Sequence, residues 1–248
     1  MNELELFISR KIKAKEIFKI IEISKSEAYN FIKSYHYLKD AKFFSKFQFG
    51  CYYKNTLLGV ATFSNPQGNV TLKGWFGVDN KNQTILELSR LCVHPSLNGT
   101  NLTSFLLGNS LKFLKKKGIQ AVITLADSSK HVGSIYQVCN FKYYGLTDAK
   151  SDFYSVDGKI NPRGKTKNKQ GVWLPRTRKH RYAYIMDNSL KCLYDEKPKP
   201  KKNEIIKFDV CRGCQGNKIV IDKRFNVKYT CPLCGEKLLK TVEEVKNE

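Results

Sequence analysis

Hydrophobic and polar positions along the chain change rhythm several times. Residues 1 to 35 read as helical in two stretches. In the second, Ser24 followed by Glu27 offers a capping box, and apolar residues recur three and four apart from Glu27 to Tyr35. A loop, Tyr35-His36-Tyr37, leads into a Phe-rich stretch from Phe43 to Phe49. From Gly50 the period shortens: Cys51 to Tyr53, a turn at Lys54-Asn55 and Leu57 to Phe63 predict a β-hairpin. Val70 to Val78 reads as a further strand, and Ile85 to Val93 as a strand that ends at His94-Pro95. Residues Asn101 to Lys117 form an amphipathic helix with cations in its last turn, closed by Gly118. Ile119 to Leu125 carries no charge, as a central strand should. A short helix from Ser134 to Val138, a strand from Phe141 to Tyr144 and a returning strand from Tyr182 to Ile185 complete the pattern. The alternation predicts a mixed α/β sheet with a right-handed crossover.

Charge adds a partner to this outline. Forty-four Lys and Arg face twenty-two Asp and Glu, a net charge of +22, which makes nucleic acid the default partner. An AT-rich genome would raise Lys, but it would not gather cations into local blocks. One such block is free of Asp and Glu: Lys159, Arg163, Lys165, Lys167, Lys169, Arg176, Arg178, Lys179 and Arg181, with Trp173 among them and Tyr182 and Tyr184 beyond. Cations with interleaved aromatics suit a loop that tracks phosphates and stacks bases; a solvated insertion is the plain alternative. No apolar run approaches the roughly 20 residues of a bilayer span, and the charged N-terminus lacks a signal-peptide core. The expected partner is double-stranded DNA, with no membrane, in the cytoplasm of a bacterial host cell.

In that reducing compartment, cysteines are better read as metal ligands or free thiols than as disulfides. Cys211-x-x-Cys214 and Cys231-x-x-Cys234 are two turns that can each supply two thiolates to one tetrahedral ion. Lys218 to Tyr229 alternates between them like a hairpin. A structural zinc ribbon follows, since so short a module has little core to fold without metal. Cys51, Cys92, Cys139 and Cys192 are scattered and read as packing residues.

The stretch Ser134-Ile-Tyr136-Gln137-Val-Cys-Asn140-Phe141, after a strand ending at Ala126-Asp127, resembles the second half of the GNAT acyltransferase fold. The resemblance implies that the helix from 101 to 117 opens at a splayed strand and binds the donor at its N-terminus. The preceding segment, Pro95 to Asn101, holds a single Gly where coenzyme A users carry a glycine-rich turn, so the acyl or glycyl donor is left open. A finer set resembles the Mom family of phage DNA-modification proteins, which convert adenine to a carbamoylmethyl-type base. Its pieces are His36-Tyr37, Leu88-Ser89-Arg90-Leu91 with Pro95, Asn101 to Ser104, Ala126-Asp127, His131 to Gln137 and Asn140 to Gly145. The resemblance covers residues 35 to 185 and implies an active site of His36, Tyr37, Arg90, Ser104, Asp127 and Tyr136.

In those implied roles Tyr136 donates a proton to the leaving group, Asp127 orients or deprotonates the adenine amine, Arg90 pairs with an anion, and Ser104 binds donor oxygens. His36, Asp127 and Tyr136 could also hold an active-site iron. Each has a plainer reading: Arg90 as an exposed charge, Asp127 as a helix cap, Tyr136 as a core aromatic. The expected organisation is a GNAT-like catalytic domain over 1–190 with a basic insertion at 158–181, a linker over 191–205, and a four-cysteine zinc ribbon over 206–248. The expected function is adenine hypermodification that protects DNA from restriction. An N-acyltransferase for tRNA, protein or small amines is one rival, and a non-catalytic DNA-binding protein on this scaffold is the other.

Overall fold

A computed structural model of the chain describes residues 3–37, 44–66, 69–79, 82, 84–128, 131–148, 150–155, 160–161, 171–176, 178–201, 208–210 and 218–220. Two compact units make up the chain. The first comprises Met1–Thr124, Ser134–Tyr144 and Tyr182–Lys197; the second comprises Leu125–Gly133, Gly145–Arg181 and Pro198–Glu248.

The first unit opens with short helices α1 (Glu3–Ile8) and α2 (Ala14–Ile17), then strand β1 (Phe18–Glu22), and only then the longer helix α3 (Lys25–Tyr35). The helical reading of residues 1 to 35 is therefore corrected at β1, which pairs antiparallel with β2 (Phe47–Tyr53), Phe18 opposite Tyr53 and Glu22 opposite Phe49. Ile20 and Ile21 suit such an edge, and tertiary pairing overrides a weak local helical period. α3 begins as the sequence predicts, with the Ser24 hydroxyl accepting from the Glu27 amide at 3.1 Å.

β2 turns through Lys54, at φ 53°, into β3 (Thr56–Ser64), the expected hairpin. Residues predicted as a strand over 70–78 instead form helix α4 (Asn69–Phe76). Its buried residues Leu72, Trp75 and Phe76 stand three and four apart, which is a helical face. β4 (Ile85–Val93), a 3-10 turn at Pro95–Leu97, α5 (Leu102–Lys116), β5 (Ala121–Asp127), α6 (Ser134–Val138), β6 (Lys142–Leu146) and, later, β10 (Lys179–Ile185) follow the predicted outline. Together they give a seven-stranded mixed sheet in the order β1-β2-β3-β4-β5-β10-β6, the GNAT-like arrangement that the resemblance implied.

Helices α3 and α5 cover opposite faces of this sheet. α3 buries Ala28, Phe31 and Ile32 against Val60 and Cys92, which are paired across β3 and β4. The next pair along, Gly59 and Val93, faces the other way, toward Leu106 of α5. A Cβ on Gly59 would stand 3.2 Å from Leu106 and 3.1 Å from Val93, so a larger residue there would make these side chains give way. Leu102, Leu106, Leu107, Leu111 and Leu114 are buried along α5, each stabilising the unit by about 1.5–3 kcal/mol. Gly118, at φ 79°, closes the helix.

The second unit contains a three-stranded antiparallel sheet, β7 (Lys150–Ser155), β8 (Ile160–Asn161) and β9 (Gly171–Arg176), in the order β8-β7-β9. It also contains a two-stranded antiparallel pair, β11 (Phe208–Val210) and β12 (Lys218–Val220). Among the described residues no helix is long and apolar enough to cross a membrane.

Candidate active site

The sheet parts between β4 and β5. β4 pairs with β5 only over Ile85, Leu86 and Glu87, set opposite Ala121, Val122 and Ile123. The rest of β4 continues with β3 alone, so a gap opens beside Leu88–Val93. A bulge lies in this freed stretch: Thr62 faces Arg90 while Phe63 faces Leu88, which leaves Ser89 as the extra residue.

Thr124, the first residue of β5 past the last pair, is fully buried and hydrogen-bonded to the hydroxyl of Tyr136 on α6. Burial pushes that hydroxyl above its ordinary value of 10.0; the Thr124 hydrogen bond opposes the rise and nearby Tyr37 adds to it. The Tyr136 ring is held 5.4 Å from Tyr182 and 5.7 Å from Phe141. Asn140, at φ 63°, makes the turn after α6, and the Phe141 amide donates to the Tyr136 carbonyl at 2.9 Å. Gln137 donates to the Tyr182 hydroxyl at 3.0 Å.

His36 ends α3, its amide donating to the Ile32 carbonyl at 2.9 Å, and it is 7% exposed. Its ring stacks on Tyr37 at 4.4 Å, and Tyr37 is 59% exposed. The predicted residues His36, Tyr37 and Tyr136 are therefore brought to one place. Arg90 is half-buried at the bulge, Nη1 donating to the Ser89 carbonyl at 2.7 Å. Ser104, in the first turn of α5, donates its hydroxyl to the Asn101 carbonyl at 2.8 Å, and its own carbonyl accepts from the Cys139 thiol at 3.8 Å. Burial raises that thiol to about 11. Thr124 was missed by sequence reasoning; its hydroxyl within the apolar run Ala121–Leu125 was the signal available.

The remaining predicted residues belong to the second unit. Asp127 ends β5 half-buried, its carbonyl accepting from the His131 amide at 3.0 Å. The guanidinium of Arg178 donates to the Thr147 carbonyl, and the Arg178 carbonyl accepts from the Ser128 hydroxyl at 2.7 Å. Arg181 donates to the Leu146 carbonyl at 2.7 Å and pairs with Asp148 at 3.3 Å. The amide of Lys179 donates to the Thr147 hydroxyl at 2.9 Å. Arg176 lies on β9, while Lys159, Arg163, Lys165, Lys167, Lys169 and the four predicted zinc ligands, Cys211, Cys214, Cys231 and Cys234, lie outside the described residues.

A family model, the Mom protein family, matches residues 17–201, well over half of the chain. The chain belongs to the Mom protein family. Solved structures similar to this Mom-family chain include the ribosomal-protein-S18-alanine N-acetyltransferase from Escherichia coli, at 11% identity and a TM-score of 0.44, over 69% of this chain and 95% of that one. An N-acetyltransferase from Staphylococcus aureus Mu50 matches at 18% identity and a TM-score of 0.43, over 68% and 98%. A GNAT family acetyltransferase from Elizabethkingia anophelis, with acetyl-CoA bound, matches at 14% identity and a TM-score of 0.42, over 69% and 99%. No curated protein matches the sequence. Among the described residues of this Mom-family protein, no group of three or more His, Cys, Asp or Glu could hold a metal ion.

Proposed function

We propose that this Mom-family protein is a transferase that attaches a carbamoylmethyl-type group to N6 of adenine in double-stranded DNA, which shields the DNA from restriction nucleases. The observation that carries the reading is the Tyr136 hydroxyl, a proton donor hydrogen-bonded to Thr124 where β4 and β5 part. The N6 lone pair attacks the methylene carbon of a carbamoylmethyl donor that carries its leaving group on that carbon. The N6–carbon bond forms as the donor's leaving group departs with the Tyr136 proton, and N6 releases a proton that restores the tyrosine through solvent. Arg90 serves an anion of the donor or DNA, and the net charge of +22 favours a polyanionic substrate. The role of Asp127 as acceptor of the N6 proton rests on the family resemblance.

The tail carries a separate assignment, a structural zinc ribbon. β11 ends at Val210 and β12 begins at Lys218, so Cys211 and Cys214 fall in the connection between two paired strands. With Cys231 and Cys234, two C-x-x-C pairs in the sequence, they would supply the all-thiolate donor set that suits zinc. Metal analysis of the purified chain is expected to give one zinc per molecule, lost in a Cys211→Ser, Cys214→Ser double variant; a metal-free wild-type chain contradicts the ribbon.

Nucleoside mass spectrometry on DNA from bacteria that express the wild-type chain or Asp127→Ala tests the function. A heavier deoxyadenosine present only with the wild type is expected. Unmodified DNA beside well-expressed wild-type protein contradicts the reading.

A further inference from the structure

On the α3 face of the sheet, beside the β4 bulge, lies a cleft of about 290 Å³ lined by Phe44, Ser45, Lys46, Ser64 and Asn65. Val60, Thr62 and Ser64 alternate along β3, which puts Ser64 on the same face as the α3 contacts. The bulge anchors the cleft: the Ser89 hydroxyl lies 2.6 Å from that of Ser64 and 3.4 Å from the Phe44 carbonyl oxygen.

Two features of this cleft go unused by the fold. Phe44 is 70% exposed, a large aromatic ring turned to solvent at the cleft's edge. The Ser45 hydroxyl is sealed from solvent with no hydrogen-bond partner among the described residues, an arrangement that costs free energy until a partner arrives. An exposed ring beside an unsatisfied buried hydroxyl and the carboxamide of Asn65 is the chemistry that takes a flat heterocycle: a face to stack on, and donors and acceptors for its edge.

Position links the cleft to the chemistry. Ser64, Glu87 and Ile123 are successive partners across β3, β4 and β5, and Thr124 is the next residue on β5. Two strand spacings, about 10 Å, therefore separate Ser64 from the strand that holds Tyr136. Cleft and hydroxyl flank the same parting of the sheet.

We propose that this cleft receives the target adenine after it leaves the DNA stack, its ring on Phe44 and its polar edge on Ser45 and Asn65. The inference rests on the function proposed above and names its substrate subsite. Extruding a base from duplex DNA costs pairing and stacking energy, so a subsite of this kind binds an already unpaired adenine more tightly than a paired one.

The test measures binding of the full-length protein to two duplexes centred on an adenine found modified in cells, one with that adenine paired and one with it opposite an abasic site. The wild type is expected to bind the unpaired form tighter by on the order of ten-fold, about one base-stacking contact. Phe44→Ala is expected to abolish this preference while binding the paired duplex as before, and Phe44→Trp to keep it. Ser45→Ala is expected to weaken the preference with no loss of melting temperature; a hydroxyl that serves only the fold would leave the preference intact. A preference that survives Phe44→Ala overturns the subsite and leaves the proposed function standing. If no adenine is ever modified in cells, the function itself fails, and the subsite falls with it.

Discussion

The two halves of β4 belong to one strand and do different work. Over Ile85 to Glu87 the strand pairs with β5, Glu87 also standing opposite Ser64 of β3, and Ile85 and Leu86 are almost wholly buried. From Leu88 onward it has β3 alone, and here stand the bulged Ser89 and the half-buried Arg90. Beside β5 the strand buries apolar side chains in the core. Where the ladder ends, strand edges and polar side chains become available for a ligand. The contrast teaches that the site opens where β4 changes partner from β5 to β3.

The largest expected difference between the halves is in stability. Leu86→Ala, in the half paired with β5, should destabilise the protein by about 2–5 kcal/mol, read from chemical denaturation. Ser89→Ala, in the freed half, should cost under about 1.5 kcal/mol, the worth of one ordinary hydrogen bond. Equal costs would erase the distinction. Next comes activity: Arg90→Ala should lower adenine modification by about ten-fold or more while its melting temperature stays near the wild type's. A variant that loses fold and activity together would place Arg90 with the core-forming half beside β5.

A smaller effect appears with pH. Burial pushes Cys51 from 9.0 to about 12 and Tyr144 from 10.0 to about 12, while burial and the Glu27 hydrogen bond push Tyr52 from 10.0 to about 12. Each holds its proton more tightly folded than unfolded, so this stability is complete below pH 9 and declines as pH rises from 9 toward 12. Melting temperatures recorded across that range should fall smoothly. Tyr136 shifts in the same direction, so activity should show no alkaline loss from this group below its ordinary 10.0. The smallest effect is on Cys139: with its thiol near 11, alkylation at about pH 8 should run far slower than for a free cysteine.

Much of this was legible because local signals agreed with the final packing. Ser24 and Glu27 announced α3, Gly118 announced the end of α5, and the uncharged run from Ile119 announced a central strand. Phe18–Glu22 was misread because its pairing with β2 is a long-range fact that no local window contains. Residues 69–76 were misread because Val70 and Thr71 favour strands by composition, while burial follows Leu72, Trp75 and Phe76. In the site, His36, Tyr37 and Tyr136 could be named in advance through family resemblance. Thr124 and the Ser64–Ser89 contact could not, because they depend on strand register and on one inserted residue.

The most direct test of the central claim is the amount of modified deoxyadenosine in DNA from cells that express Tyr136→Phe, measured by nucleoside mass spectrometry against the wild type at matched protein levels. The phenyl ring keeps the packing against Phe141 and Tyr182 and removes only the hydroxyl, so modification should fall by about 100-fold or more with DNA binding unchanged. Wild-type levels of the modified base in that variant would contradict the assignment of Tyr136 as the proton donor.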